Sequence, residues 1–251
     1  MARQQRLGIK NGIFHVWNRG NYRSWIFETE GAKKSFEATL LEACRKYGWK
    51  MSAYCVLSNH FHLCLRTPDG GLSEGMAWLQ GTFAGRFNRF RKESGHCFAG
   101  RFRSLIVQPG DHWVRLVEYI HLNPLRAGLE AWDKPGRYRW SSLFFWPKRK
   151  CRPEFFDRGW MQFTDTVEDS TGGWKRYKAA LQVRESDTAK EIERLEKQMN
   201  RGWCVGDLSY KKSLADERYE EEGMVYLDKT EMAEWNQLQW LSCLEKCLRA
   251  V

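Results

Sequence analysis

Ser58-Asn59-His60-Phe61-His62-Leu63-Cys64-Leu65 is the stretch on which the fold turns. Read as a β-strand, its side chains alternate between faces, so His60 and His62 share one face while Phe61, Leu63 and Leu65 share the other. One face anchors a core and the other presents two imidazoles. Two neutral imidazoles two residues apart on a rigid strand can ligate one divalent metal and leave coordination positions open. The same triplet also suits two half-buried structural histidines, and taken alone it does not separate the two roles.

Working outward, Trp49 to Leu57 reads as the partner strand, joined to His60 to Arg66 by Ser58-Asn59, the length of a tight hairpin. Residues 13 to 19 read as a first strand that ends in the turn Asn18-Arg19-Gly20-Asn21. Between them, Phe36, Leu40, Cys44 and Tyr47 recur at spacings of four, four and three, which predicts a helix with one buried face stopped by Gly48. Past Gly71, Ser73 is expected to cap a second helix whose stripe is Met76, Leu79, Phe83, Phe87 and Phe90, with Arg86 and Arg89 near its far end. Cys97 to Gln108 contains the last strand, with Arg101 and Arg103 two apart and expected on one face, where two guanidinium groups suit a phosphate track. The order strand, helix, strand, strand, helix, strand matches a ferredoxin-like split βαβ sheet, an α+β fold.

A further helix begins near Asp111, its expected cap, and buries Trp113, Leu116, Val117 and Ile120. Tyr119 lies roughly 110° from the centre of that stripe and Asn123 one turn further along the same flank, so neither reads as a core position. Pro124 disfavours helical geometry at Asn123 and is expected to end or bend the helix there. Seen alone, Tyr119 is an amphipathic aromatic at a helix boundary.

The charge is uneven along the chain. Of 41 Lys+Arg and 31 Asp+Glu in 251 residues, the first 150 residues hold 25 and 11, a balance of +14, and the remainder 16 and 20, a balance of −4. A basic half of that size favours a polyanion, and nucleic acid fits better than a membrane surface because no long Lys-faced amphipathic helix is present. No apolar run reaches the length of a membrane span and no signal segment follows the N-terminus, so a cytoplasmic protein with no membrane partner is expected. The eight cysteines form no Cys-x-x-Cys pair and read as reduced core residues. Trp146 to Pro153 reads as a linker dividing a first domain, 1–146, from a helical lobe, 147–251. In that lobe Ile192, Leu195 and Met199 form one stripe, and Met232, Trp235, Leu238 with Leu241 or Cys243 another, opened by Asp228 and Glu231.

Three further segments accompany the histidines: Asn18-Arg19-Gly20 after an apolar strand, Gly100-Arg101-Phe102-Arg103-Ser104, and Glu118-Tyr119-Ile120-His121-Leu122-Asn123-Pro124-Leu125-Arg126. In this order the set resembles the HUH-type single-tyrosine transposases of the IS200-like class, most closely the REP-associated tyrosine transposases, over roughly residues 10 to 145. One departure is visible, Leu57-Ser58 where the family usually has Met-Pro before the Asn-His pair.

The resemblance implies antiparallel pairing in the sheet, a Tyr-bearing helix added after it, and Tyr119 as the nucleophile that cleaves single-stranded DNA. That chemistry leaves a 5′-phosphotyrosine and a free 3′-OH. It implies Mg²⁺ or Mn²⁺ held by His60, His62 and Asn123. Arg19, Arg86, Arg89, Arg101, Arg103 and Arg126 are the candidate DNA contacts, the expected partner is single-stranded DNA with a hairpin, and both a monomer and a homodimer stay open as the working form. Free imidazoles protonate near pH ~6.5, so activity is expected to decline below it. Two rivals stay open at this level, a metal-dependent nuclease that activates water and a domesticated, non-catalytic DNA-binding protein.

Overall fold

The computed structural model describes residues 9–214, with Gln237 besides. The second predicted stripe of the C-terminal lobe, Met232 to Cys243, lies outside the described residues, as do Cys243 and Cys247. The architecture is α+β and ferredoxin-like. Strands β1 (Gly12–Arg19), β2 (Lys50–Val56), β3 (His60–Thr67) and β4 (Arg103–Val107) pair antiparallel in the order β2-β3-β1-β4. Helix α1 (Glu30–Lys46) joins β1 to β2, α2 (Leu72–Arg91) joins β3 to β4, and α3 (Asp111–Arg126) follows. A fifth short strand, β5 (Cys204–Val205), extends the sheet in parallel beside β4, a partner 98 residues downstream that local pattern does not reveal.

Register decides the two faces. Phe14, Val16, Phe61, Leu63 and Leu65 face α1 and α2, where Phe27, Phe36, Phe61, Phe83 and Phe98 form a buried aromatic cluster with edge-to-face and tilted contacts. On the opposite face β1 aligns Arg19 with His60, Trp17 with His62 and His15 with Cys64, and β4 adds Arg103 beside Trp17. That face is covered by α3 and by later segments. Trp113 donates its indole N–H to Ser52 Oγ (3.1 Å) and Trp146 donates to the Ser52 carbonyl (3.0 Å), both across strand β2.

Residues 140 to 183 pack against the β2 side. Trp146 stacks on Trp174, and Trp160 and Tyr177 complete a buried group continuous with the sheet core. Helix α4 (Thr171–Val183) is capped by Ser170, whose hydroxyl accepts from the Gly173 N–H (3.0 Å). Helix α5 (Ala189–Asn200) opens with a capping box between Thr188 and Glu191. It buries Met199 as its stripe predicts, with Ile192 and Leu195 half-buried.

Four local expectations are corrected. Ser73 does not cap α2; the helix begins a residue earlier after Gly71, whose φ of +71° is left-handed and suits glycine. Asp111 is the first residue of α3 rather than its cap, with Gly110 before it. Pro124 does not stop α3, which runs on to Arg126; proline removes only the N–H that the Ile120 carbonyl would accept, and burial of Leu122, Pro124 and Leu125 holds the last turn. Arg101 does not lie in β4, which starts at Arg103, so the two arginines do not share a strand face.

Candidate active site

Three rings meet on the covered face of the sheet. The His60 and His62 centroids are 5.1 Å apart, and Tyr119 lies edge-on to His62 at 5.6 Å. The histidines are set by alternation along β3, and Tyr119 comes from α3, which crosses that strand. Tyr119 is buried, at 4% exposure, contrary to the helical period. The period of α3 only measures distance from its own stripe; here α5 lies over the flank, and Asn200 Nδ2 donates to the Tyr119 hydroxyl at 3.0 Å. Burial pushes the phenol's pKa up, opposed by the Asn200 hydrogen bond and by Arg126.

His15 was not singled out by sequence, although its parity with Trp17 and Arg19 on β1 was legible. It is fully buried. Its Nδ1 lies 2.7 Å from the Met199 carbonyl and its Nε2 lies 2.9 Å from His62 Nδ1. A carbonyl only accepts, so His15 donates from Nδ1; neutral, it then accepts at Nε2, and His62 must donate from Nδ1. The lone pair of His62 is thereby left on Nε2. His60 is fixed in the same way by its neighbour, since its Nδ1 donates to Asn59 Oδ1 (2.6 Å) and leaves Nε2 as the lone pair. Both histidines are thus held in the tautomer that keeps the lone pair on Nε2. Asn123 donates its Nδ2 to the Tyr119 carbonyl (2.8 Å), which leaves Oδ1 as its acceptor atom. Among the described residues no three His, Cys, Asp or Glu side chains cluster for a metal.

Burial keeps these imidazoles neutral. Desolvation lowers His15 and His60 to about 4, with the Arg19 charge acting in the same direction on His60, and lowers His62 well below its ordinary value. His121, whose ring meets Tyr177 and Ser142, is lowered to about 3 by burial. Protonation of His15 and His60 therefore belongs nearer pH 4 than the pH ~6.5 of a free imidazole. Stability follows a different window. Unfolded histidines bind protons below pH ~6.5 while the folded ones refuse them until pH 3 to 4, so stability is complete above ~6.5 and falls as pH drops. Each such histidine contributes up to about 1.4 kcal/mol per pH unit within the window. Urea midpoints at pH 7 and pH 5 should show the decline; equal midpoints would contradict it.

The six arginines are placed differently from one another. Arg19 and Arg103 are exposed and sit on the histidine face of the sheet. Arg89 is exposed on α2. Arg86 is forked on Glu42 (3.0 and 2.9 Å) and bonded to Thr39 (2.7 Å), an α1 to α2 tie. Arg101 is exposed in the bend before β4. Arg126 is largely buried, pairs with Asp187 (3.1 Å), and leaves Nε and Nη1 with no partner among the described residues. The altered Leu57-Ser58 turn remains anchored without proline: Leu57 is buried, its N–H donates to the His60 carbonyl, and the Ser58 carbonyl accepts from Phe27 N–H (both 2.9 Å).

The sequence model of the family described as "Transposase IS200 like" matches residues 9–123, the span from β1 to Asn123. Among solved structures, a REP-associated tyrosine transposase bound to a REP hairpin aligns with a TM-score of 0.50 and 18% identity over 62% of this chain and 92% of its own. A candidate transposase from Deinococcus radiodurans aligns at 0.34 and 16% over 49% and 95%, and tRNA(His) guanylyltransferase from Saccharomyces cerevisiae at 0.38 and 11% over 74% and 85%. No curated protein matches. Residues 9–123, which contain the histidine strand, the tyrosine helix and the sheet joining them, are thus similar in sequence to the IS200-like transposase family.

Proposed function

We propose that the protein cleaves and rejoins single-stranded DNA through Tyr119, acting on strands that carry a hairpin. The observation that carries this reading is the meeting of Tyr119 with His62 and His60, two histidines whose Nε2 lone pairs are left available by Asn59 and His15. In cleavage the Tyr119 oxygen forms a bond to the scissile phosphorus, the bond from phosphorus to the 3′ oxygen breaks, and that oxygen leaves as a 3′-OH by taking up a proton. The 5′-phosphotyrosine keeps the ester, so the reverse attack by a 3′-OH rejoins strands without ATP. His60, His62 and Asn123 would hold a divalent ion, Mg²⁺ or Mn²⁺, which supplies charge withdrawal from the phosphate oxygens. The chain's own residues do the rest. Arg19 and Arg103 offer positive charge on the same sheet face, and His15, itself held by the Met199 carbonyl, fixes the His62 ring through its Nε2. For Tyr119 to reach phosphate, the Asn200 end of α5 must give up its hydrogen bond to the hydroxyl. A denaturing gel of the full chain with end-labelled hairpin strands tests the reading: a metal-dependent covalent protein–DNA band is expected, and cutting without any such band would assign a water-activating nuclease instead.

The excess positive charge of the first 150 residues adds a prediction about binding. Affinity for single-stranded DNA should fall with salt, and Arg103→Ala should flatten the log–log slope by about 0.7, one phosphate contact. Arg86→Ala should leave the slope unchanged, because that guanidinium is already committed to Glu42. Equal slopes for the parent and Arg103→Ala would remove the β4 arginine from the DNA path.

A further inference from the structure

The turn that follows β1 carries the most exposed aromatic side chain among those described, Tyr22 at 95%, and a second one, Trp25, at 62%. Its backbone is unusual. Tyr22 and Arg23 are consecutive non-glycine residues with φ of +51° and +59°, the left-handed region that L side chains disfavour. Strain of this kind persists only where the surroundings impose it, and here they do. The Gly20 N–H donates to the Asn59 carbonyl (2.8 Å), the Asn21 N–H to the Cys97 carbonyl (3.0 Å), and the Phe27 N–H to the Ser58 carbonyl (2.9 Å). Buried Ile26 and Phe27 pin the far end. Gly20 is needed for the approach, since a Cβ there would lie 2.2 Å from the Ser24 carbonyl oxygen. The turn is therefore a rigid bracket tied to the two residues that precede His60, and it follows directly on Arg19, the register partner of His60.

A single exposed aromatic is ordinary. Two within four residues, flanked by the exposed cations Arg19 and Arg23 and bonded to the turn that positions the histidines, are a different arrangement. Flat rings set among guanidinium groups are what unpaired nucleobases stack on, while the cations take the adjoining phosphates. We infer that the Tyr22 to Trp25 turn is a nucleobase-stacking clamp that grips the unpaired strand beside the scissile phosphate, with Tyr22 holding one base. This rests on the reading of the chain as a single-stranded DNA transesterase and adds to it the residues that seat the strand.

The test measures binding of a hairpin DNA with an unpaired flank to the full chain carrying Tyr119→Phe, which removes turnover. Tyr22→Ala should weaken binding roughly ten-fold, in the range of one lost base–aromatic stack, while Tyr22→Phe, which keeps the ring, binds as the parent does. Moving an abasic site through the flank should find one position that weakens the parent to the same extent and weakens Tyr22→Ala no further. Unchanged melting temperatures would separate these effects from folding. Parent-like binding by Tyr22→Ala, loss in Tyr22→Phe as well, or additive losses at every abasic position would each overturn the clamp. Absence of any salt-sensitive strand binding by the parent would instead overturn the functional reading beneath it, and the clamp with it.

Discussion

Replacing Tyr119 by phenylalanine is expected to abolish both strand cleavage and the denaturation-resistant protein–DNA adduct, while the fold and DNA affinity stay close to those of the parent. The ring remains, with its edge contacts to His62 at 5.6 Å and His15 at 5.8 Å, so the packing of α3 on the sheet is conserved. What is lost is one oxygen. Structurally it accepts from Asn200 Nδ2, and leaving that donor unpaired in a part-buried place costs about 1 to 3 kcal/mol, roughly 2 to 12 °C of melting temperature for a chain of this size. Chemically it is the atom that would bond to phosphorus, and no other group nearby forms the same ester. Tyr138, the other tyrosine of the region, is a natural control: its hydroxyl donates to the Val56 carbonyl at 2.9 Å, a structural use that keeps it from the site. Mapping of the DNA-linked peptide to Tyr119 in the parent and loss of the adduct in the variant is the expected pair of results. Continued cutting by the variant would assign the reaction to an activated water.

The second large effect concerns the histidine pair. His60→Ala and His62→Ala should each reduce cleavage to background, and EDTA should do the same to the parent, while binding of a single strand measured without turnover changes by less than a few-fold. Asn123→Ala should leave residual activity that rises with added Mn²⁺, because one of the three proposed ligands is removed and its backbone tie to Tyr119 is only a single hydrogen bond. The His62 variant carries a structural cost that the His60 variant does not share, since it also orphans His15 Nε2 inside the core. A His62→Gln comparison separates the two, because glutamine can donate to His15 without supplying an imidazole. Full cleavage in EDTA would contradict the assignment of all three residues.

The alternation His60, Phe61, His62 was legible at once, because a strand sends neighbours to opposite faces whatever surrounds it. The end of α1 before Gly48, a glycine in the left-handed region that closes helices, was legible too, as were the βαββαβ order and the basic first half. Tyr119 shows where that kind of reading stops. Its angle on α3 was correct relative to Trp113, Leu116 and Ile120, but whether a flank is open depends on what lies across it, and here the cover is Asn200, 81 residues away. His15 acquires its role in the same manner, bridging His62 and the Met199 carbonyl over separations of 47 and 184 residues. Arg86 and Arg126 read as candidate DNA contacts by position, and the fold ties them to Glu42 and Asp187. Sequence by itself determined which side chains share a face inside the elements it placed correctly, because φ and ψ periodicity is local, though not for Arg101, which falls outside β4; only tertiary structure decided which faces are covered and how each imidazole's proton is placed, because those depend on hydrogen-bond partners that chain distance does not constrain.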